Sequence, residues 1–196
     1  REGRGVSGSP ASGGHSILLV SYFFPPTRDT GAQRPAAMAK YLSRLGHRVT
    51  VLTTCAFGDE APGAGPEGVE VIRAQDLQAI RARRARHERI DSLFDSDTYS
   101  GKPHPLSYVI HPEPLRVAWG PFARREALAA HSRLGFDAVI STSPPETAHL
   151  VGRALARRGV PWVADVRDAW TFEPLRPRFP LAAQRRLDER MERRVL

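Results

Sequence analysis

The sharpest polar residues of this chain stand directly after its most apolar segments. The run 160–166, VPWVADV, leads into Arg167 and Asp168, and the run 136–142, FDAVIST, leads into Ser143. A planar guanidinium group suits phosphate and carboxylate ligands, and a carboxylate beside it can orient a hydroxyl group. Arg167 and Asp168 are therefore candidates for a reactive site, with a structural pair between neighbours as the alternative.

Ser143 is followed by two prolines and a glutamate. Ser143 and Glu146 have the spacing of a capping box, in which each side chain bonds a free N–H group at the start of a helix, and Pro144 suits the first helical position. Capping explains this stretch first, and contact with a ligand is a second role for the same residues.

A third polar segment follows the apolar run 16–24. It contains Gly31, Ala32 and Arg34, just before a predicted helix whose first turn holds Pro35. A glycine near a helix N-terminus lets backbone N–H groups approach an anion. Gly31 is therefore either a phosphate contact or only a turn residue, and Arg34 adds positive charge.

The elements that position these residues alternate along the chain. Near-continuous apolar runs predict strands buried on both faces, and apolar residues at helical spacing predict amphipathic helices between them. This alternation is typical of an α/β, Rossmann-like, doubly wound and mostly parallel sheet. The predicted strands are 16–24, 47–54, 68–74, 136–142 and 160–166. The apolar face of the first predicted helix consists of Met38, Tyr41, Leu42 and Leu45, and that of a later helix of Trp119, Phe122, Ala123, Ala127, Ala130 and Leu134. The helix after the fourth strand has the face Ala148, Val151 and Leu155.

Parallel strands end at one edge of the sheet, and ligands bind beyond that edge. The three polar segments are therefore expected to meet there, although they are far apart in sequence. A helix over 76–94, an irregular segment over 95–115 and a charged helix over 180–196 complete the predicted organisation.

The charge balance favours an anionic partner. The chain has 29 Lys and Arg against 21 Asp and Glu, a net charge of +8. Much of this charge lies in the arginine-rich stretch Arg81–Arg89, whose default explanation is a solvated helix face and whose alternative is an anionic membrane surface. No nucleic-acid partner is expected, because the stretch lacks interleaved aromatic residues and any recognition motif.

Several classes of site are excluded by missing motifs. The sequence has no GxGxxG, no GxxxxGK[ST] and no GxSxG, which argues against a dinucleotide site, a P-loop and a hydrolase elbow. The histidines lack metal-ligand spacing, and Cys55 is the single cysteine, expected to pack as a small apolar residue. We expect no metal and no cofactor.

Two stretches together resemble a known family. ILLVSYFFPPTRDTGAQRPAAMAKYLSRLGHRVTVLTT and FDAVISTSPPETAHLVGRALARRGVPWVADVRDAW, supported by EPLRVAWGPFARREAL, resemble the N-terminal domain of GT-B glycosyltransferases of the retaining family 4. Ala32 stands where many members have glycine, and Arg167 stands where many have histidine. The resemblance covers residues 16–196, with 1–15 expected as a flexible tail and a C-terminal donor domain expected to be missing.

The resemblance implies a transferase that moves a sugar from a nucleotide diphosphate sugar to a glycan, lipid-linked or small-molecule acceptor with retention of configuration. Most donor contacts would lie in the missing domain, so we expect this chain alone to be inactive, and the enzyme to be cytoplasmic or peripheral at the inner membrane face. The rival interpretations are a non-catalytic module that binds a phosphorylated ligand or membrane surface, and a nucleotide-sugar epimerase of the same fold. The implied catalytic residues are Arg167 and Asp168, and the implied donor-phosphate or acceptor residues are Gly31, Ala32, Arg34, Ser143, Pro144 and Glu146.

Overall fold

A computed structural model describes residues 13–57, 66–76, 119–168, 170–172 and 181–196. Within these ranges five parallel strands form one sheet in the order β3-β2-β1-β4-β5. The α/β, Rossmann-like fold predicted from the sequence is confirmed. The elements are β1 Ser16–Ser21, α1 Thr30–Arg44, β2 Arg48–Thr54, β3 Val69–Ala74, α2 Gly120–Leu134, β4 Ala138–Thr142, α3 Thr147–Ala156, β5 Trp162–Asp165 and α4 Ala182–Val195.

Some predictions fall on other parts of the chain. Four predictions lie outside the described residues, wholly or nearly so: the tail up to residue 12, the helix over 76–94 except Asp76, the segment 95–115 and the basic stretch Arg81–Arg89. Among the helices that are described, none has both the length and the apolar character needed to cross a membrane.

The core lies on both faces of β1, the middle strand. Leu18 and Val20 pack on the face covered by α2 and α3, whereas Leu19 packs on the opposite face with α1. All three side chains have no exposed surface, because helices cover both faces of β1. The edges of β1 are covered as well, by pairing with β2 on one side and with β4 on the other. A strand in this position is buried all round, which explains its unbroken apolar sequence.

Helix α1 begins earlier than the sequence predicted. The side chain of Asp29 accepts a hydrogen bond from the N–H group of Gly31, with 2.7 Å between the atoms, and caps a helix that starts at Thr30. Pro35 therefore lies inside the helix, whereas the sequence predicts it in the first turn. Its ring supplies no N–H group to the carbonyl of Gly31.

The inner face of α1 also differs from the prediction. Tyr41 and Leu45, predicted as part of the apolar face, are 59% and 72% exposed. The residues that α1 buries are Ala32, Pro35 and Ala39. Small side chains at these positions let α1 lie close to the sheet, so the prediction of a large apolar face was wrong for its outer half.

The predicted capping box at Ser143 was also wrong. Helix α3 begins at Thr147, its N-cap residue is Glu146, and no side chain bonds the cap. The N–H group of Ser143 instead donates to the carbonyl oxygen of Asp165, at 3.2 Å. Ser143 thus extends the pairing of β4 with β5, and its backbone is not available to start a helix.

The rest of α3 follows its predicted pattern. Ala148, Val151 and Leu155 are buried in the core, as expected from their spacing. Gly152 faces Trp162 of β5, and a methyl group built on Gly152 would lie 2.3 Å from the indole nitrogen Nε1. The missing side chain lets helix and strand approach closely.

Candidate active site

Arg34 and Asp165 form the central contact at the carboxyl edge of the sheet. Nη2 of Arg34, in α1, lies 2.6 Å from Oδ1 of Asp165, the last residue of β5. The other carboxylate oxygen of Asp165 accepts a hydrogen bond from Oγ1 of Thr142, the last residue of β4, at 2.8 Å. One carboxylate therefore joins α1, β4 and β5.

This contact spans the point where the order of the sheet reverses. Helix α1 leaves β1 over one face, and α3 leaves β4 over the other face, while β1 and β4 are neighbours. Helices that diverge in this way leave a crevice beyond the strand ends, where doubly wound sheets bind their ligands. Arg34 reaches across the opening of this crevice from α1 to β5.

The structure brings the three predicted polar segments to one edge. Gly31, Ala32 and Arg34 lie in the first turns of α1, Ser143 follows β4, and Arg167 and Asp168 follow β5. Since all these strands are parallel, their following segments share the carboxyl edge. Pro144 and Glu146 complete this group of residues between β4 and α3.

The candidate site residues differ sharply in their exposure to solvent. Ser143 is buried and Glu146 is half-buried, whereas Arg167 and Asp168 are both exposed. Neither Arg167 nor Asp168 has a hydrogen bond or ion pair within the described ranges. Their charged groups therefore face solvent at the edge where a ligand would arrive, and neither residue forms the alternative structural pair with any other described residue.

The backbone N–H groups of Gly31 and Ala32 are already bonded. Gly31 donates to Oδ1 of Asp29, and Ala32 donates to the carbonyl oxygen of Asp29 at 2.9 Å. A phosphate could use these groups only by displacing Asp29, whose carboxylate also places negative charge at the helix N-terminus. Arg34, with half of its side chain exposed, is an accessible cation in the first turns of this helix.

The family described as "Glycosyl transferase 4-like domain" matches residues 30–196, most of the chain. The chain belongs to this family. The family resemblance inferred from the sequence is thereby confirmed. No curated protein sequence matches the chain significantly.

Two solved structures resemble the glycosyl transferase 4-like domain. Sucrose-phosphate synthase from Thermosynechococcus elongatus aligns with a TM-score of 0.58 and 14% identity, over 93% of this chain and 40% of that one. The chain thus spans less than half of that protein, and at this identity the likeness shows the shared fold. The C-terminal domain of a hydrogenase from Pyrococcus furiosus aligns over 81% of this chain and 95% of that one, with 15% identity, but its TM-score of 0.42 is too low to show a shared fold.

Asp165 and Thr142 were missed as site residues by sequence reasoning. Both belong to apolar runs that read as buried strands, and each is the last residue of its strand. The available signal was their position: a polar residue that closes a parallel strand lies at the edge where ligands bind. Of the predicted residues, Arg34 bonds the side chain of Asp165, and Ser143 bonds its backbone carbonyl oxygen.

A buried polar network lies behind the edge of the glycosyl transferase 4-like domain. Nε1 of Trp162 donates to Oγ of Ser141, and the same Oγ lies 2.8 Å from Nδ1 of His149. Burial lowers the pKa of His149 from 6.5 to about 4, although the charge of Asp165 acts in the opposite direction. His149 is therefore neutral at physiological pH, and its Nε2 has no hydrogen-bond partner in the described part of the chain.

Metal ligation finds no support in the described ranges. No three side chains of His, Cys, Asp or Glu cluster there in a way that could hold a metal ion. Cys55 is buried beside Ala56, as its sequence context predicted.

Proposed function

We propose that this domain forms the acceptor-side half of a glycosyltransferase that moves a sugar from a nucleotide diphosphate sugar to an acceptor with retention of configuration. Membership of the glycosyl transferase 4-like family supports the reaction class. The observation that carries the choice of site is the ion pair of Arg34 with Asp165 at the crevice between β1 and β4.

The reaction breaks the bond between the anomeric carbon and the diphosphate oxygen and forms a bond to an acceptor oxygen. Negative charge grows on the departing diphosphate while the sugar approaches an oxocarbenium ion. Preorganised positive charge at the departing group lowers this barrier. We assign that role to Arg34, held in place by Asp165, with Arg167 as a second cation near the sugar.

Acceptor recognition is assigned to the same edge. Asp168 is exposed three residues beyond Asp165, where its carboxylate can orient the acceptor hydroxyl as its proton leaves. Ser143, Pro144 and Glu146 form the wall on the side of β4. We place most nucleotide contacts on a second domain that closes over this edge, and we expect a glycan, lipid-linked or small-molecule acceptor.

Turnover by the natural full-length protein tests this proposal. Purified protein is incubated with uridine, guanosine and adenosine diphosphate sugars and a panel of acceptors, and the nucleoside diphosphate released is measured. NMR of the product then gives its anomeric configuration, which should match that of the donor. A donor with one inverted stereocentre and no released diphosphate would instead identify an epimerase, and binding without turnover would identify a binding module.

A membrane role for Arg81–Arg89 is tested separately. Flotation with anionic vesicles at low salt should carry the protein to the top of the gradient, and neutral vesicles should not. A protein that stays at the bottom with both kinds of vesicle contradicts this membrane role and leaves the transferase proposal unchanged.

A further inference from the structure

The segment that carries Arg167 and Asp168 is held by buried contacts on both sides. Before it, Asp165 is bonded to α1 and β4, as described above. After it, the indole of Trp170 is buried, and its Nε1 donates to Oδ1 of Asp188 in α4 at 2.6 Å. The two exposed candidate residues thus lie between two fixed points of the fold.

Helix α4 holds Trp170 and the following residue with more than one hydrogen bond. Asp188 and Glu192 are four positions apart, so they share one face of the helix, and both are buried. Oε1 of Glu192 accepts a hydrogen bond from the N–H group of Thr171 at 3.0 Å, next to the hydrogen bond from Trp170 to Asp188. Burial of carboxylates is unfavourable unless hydrogen bonds compensate for it, and residues 170–171 supply such bonds.

Trp170 also packs against a second helix, α3. The ring of His149, in α3, lies 6.1 Å from that of Trp170 between centroids, tilted by 34°. His149 is fixed in turn by Ser141 of β4. Trp170 is therefore placed between α3 and α4, with packing against one helix and a hydrogen bond to the other.

We infer that Asp188 is a positioning residue of the sugar-transfer site, acting through Trp170 to fix the segment that carries Arg167 and Asp168. The catalytic consequence rests on the proposed function, whereas the anchoring of residues 170 and 171 does not. Because small displacements of aligned groups slow a reaction strongly, a loosened segment lowers the rate of the chemical step more than it weakens binding.

Four variants of the full-length protein test this inference. Trp170→Phe removes the indole N–H group, Asp188→Ala removes its acceptor, and Asp188→Asn keeps an acceptor oxygen. Trp119→Phe is the matched control, because the buried Nε1 of Trp119 has no hydrogen-bond partner in the described ranges. Hydrogen exchange of the peptide 166–172 is measured by mass spectrometry, together with kcat and the donor KM.

The expected result is a common pattern for Trp170→Phe and Asp188→Ala. Exchange in residues 166–172 rises about tenfold, and kcat falls about tenfold with a smaller change in donor KM. Asp188→Asn stays near the wild type in both measurements, and Trp119→Phe does not raise exchange in this peptide.

Three results would overturn the inference. The first is that exchange in residues 166–172 is unchanged in Trp170→Phe and Asp188→Ala. The second is that Trp119→Phe raises this exchange as much as those two variants do. The third, for a protein that does transfer sugar, is that the two variants raise exchange and leave kcat unaltered. If the wild type transfers no sugar from any donor, the proposed function fails, and the exchange comparison alone then decides whether Asp188 anchors the segment.

Discussion

The guanidinium group of Arg34 and the carboxylate of Asp165 lie in contact across the mouth of the crevice, although 131 positions separate them in the chain. The pair joins the helix that follows β1 to the last residue of β5. Half of the Arg34 side chain is exposed, whereas Asp165 is largely buried. The carboxylate therefore binds the guanidinium group on its buried side, and the exposed side of that group remains accessible to a ligand.

Replacing Asp165 by Asn should lower kcat/KM for the donor on the order of 100-fold, because Arg34 loses the charge that orients it. The free energy of unfolding should change by less than ~1 kcal/mol, since the pair is partly solvated and the amide oxygen still accepts from Thr142. Donor kinetics and urea unfolding check both statements. Asp137→Asn makes the same change at the opposite edge of the sheet and should leave kcat/KM unaltered; equal losses in both variants would contradict the role of Asp165.

Replacing Arg167 or Asp168 by Ala should separate activity from stability. Both side chains are exposed, so the free energy of unfolding should stay within ~0.5 kcal/mol of the wild type. Turnover should fall on the order of 100-fold in each variant, because charge next to the reacting centre is lost. Arg158→Ala, just beyond the C-terminal end of α3, is the control for a lost surface arginine. Wild-type turnover in both Arg167→Ala and Asp168→Ala would remove the two residues from the site.

Replacing Asp29 by Asn tests whether the N-terminus of α1 takes part in phosphate binding. Asparagine caps a helix about as well as aspartate, so the helix should remain, while the negative charge beside Gly31 and Ala32 disappears. If the diphosphate binds there, its Kd should fall roughly two- to fivefold, measured by calorimetry with a nucleoside diphosphate. Asp29→Ala, which lacks the cap, should instead lose about 1 kcal/mol of stability. Unchanged or weaker binding to Asp29→Asn would exclude the N-terminus of α1 as a phosphate contact.

His149 should make the fold less stable in mild acid. Burial lowers its folded pKa to about 4, below the unfolded value of 6.5, so the unfolded chain binds the proton first as the pH falls through this window. Between pH 7 and pH 5 its contribution to the free energy of unfolding should drop by about 2 kcal/mol. His149→Asn, which still offers Ser141 a partner but does not titrate, should show a smaller drop in urea titrations at the two pH values. Equal drops in the two proteins would mean that His149 does not control this acid sensitivity.

The sheet could be predicted from the sequence because its cause is local. Leu18, Leu19 and Val20 are consecutive and apolar, which fits burial on both faces of a strand, and the structure buries all three completely. The inner face of α3 was equally predictable from its helical spacing. Parallel strands then place the following residues at one edge, so the location of the site followed from the fold.

The starts of the helices were harder because they depend on competing partners. Pro35 suits a first helical turn, but Asp29 caps the helix earlier and shifts its start. Ser143 has the spacing of a cap, but the sheet takes its N–H group. In both cases the outcome depends on which neighbouring group forms the hydrogen bond with the backbone N–H group, and spacing alone does not contain that information.

The pair that organises the site could not be predicted from local patterns. Asp165 reads as the end of an apolar strand, and its partner is on a helix in the first quarter of the chain. Pairing over such a distance is decided by the packing of α1 on the sheet. His149 was missed for a similar reason, since its partner Ser141 and the Trp162 that bonds the same hydroxyl group come from two different strands.

The close contact between Gly152 and Trp162 links the evolution of the two positions. A methyl group on residue 152 has no room while an indole occupies position 162. Homologues that carry alanine or a larger residue at the first position should therefore carry a smaller one at the second, and they should lose the bond from the indole to Ser141. An alignment of relatives would then show these two columns changing together, with serine at 141 retained chiefly where tryptophan is present.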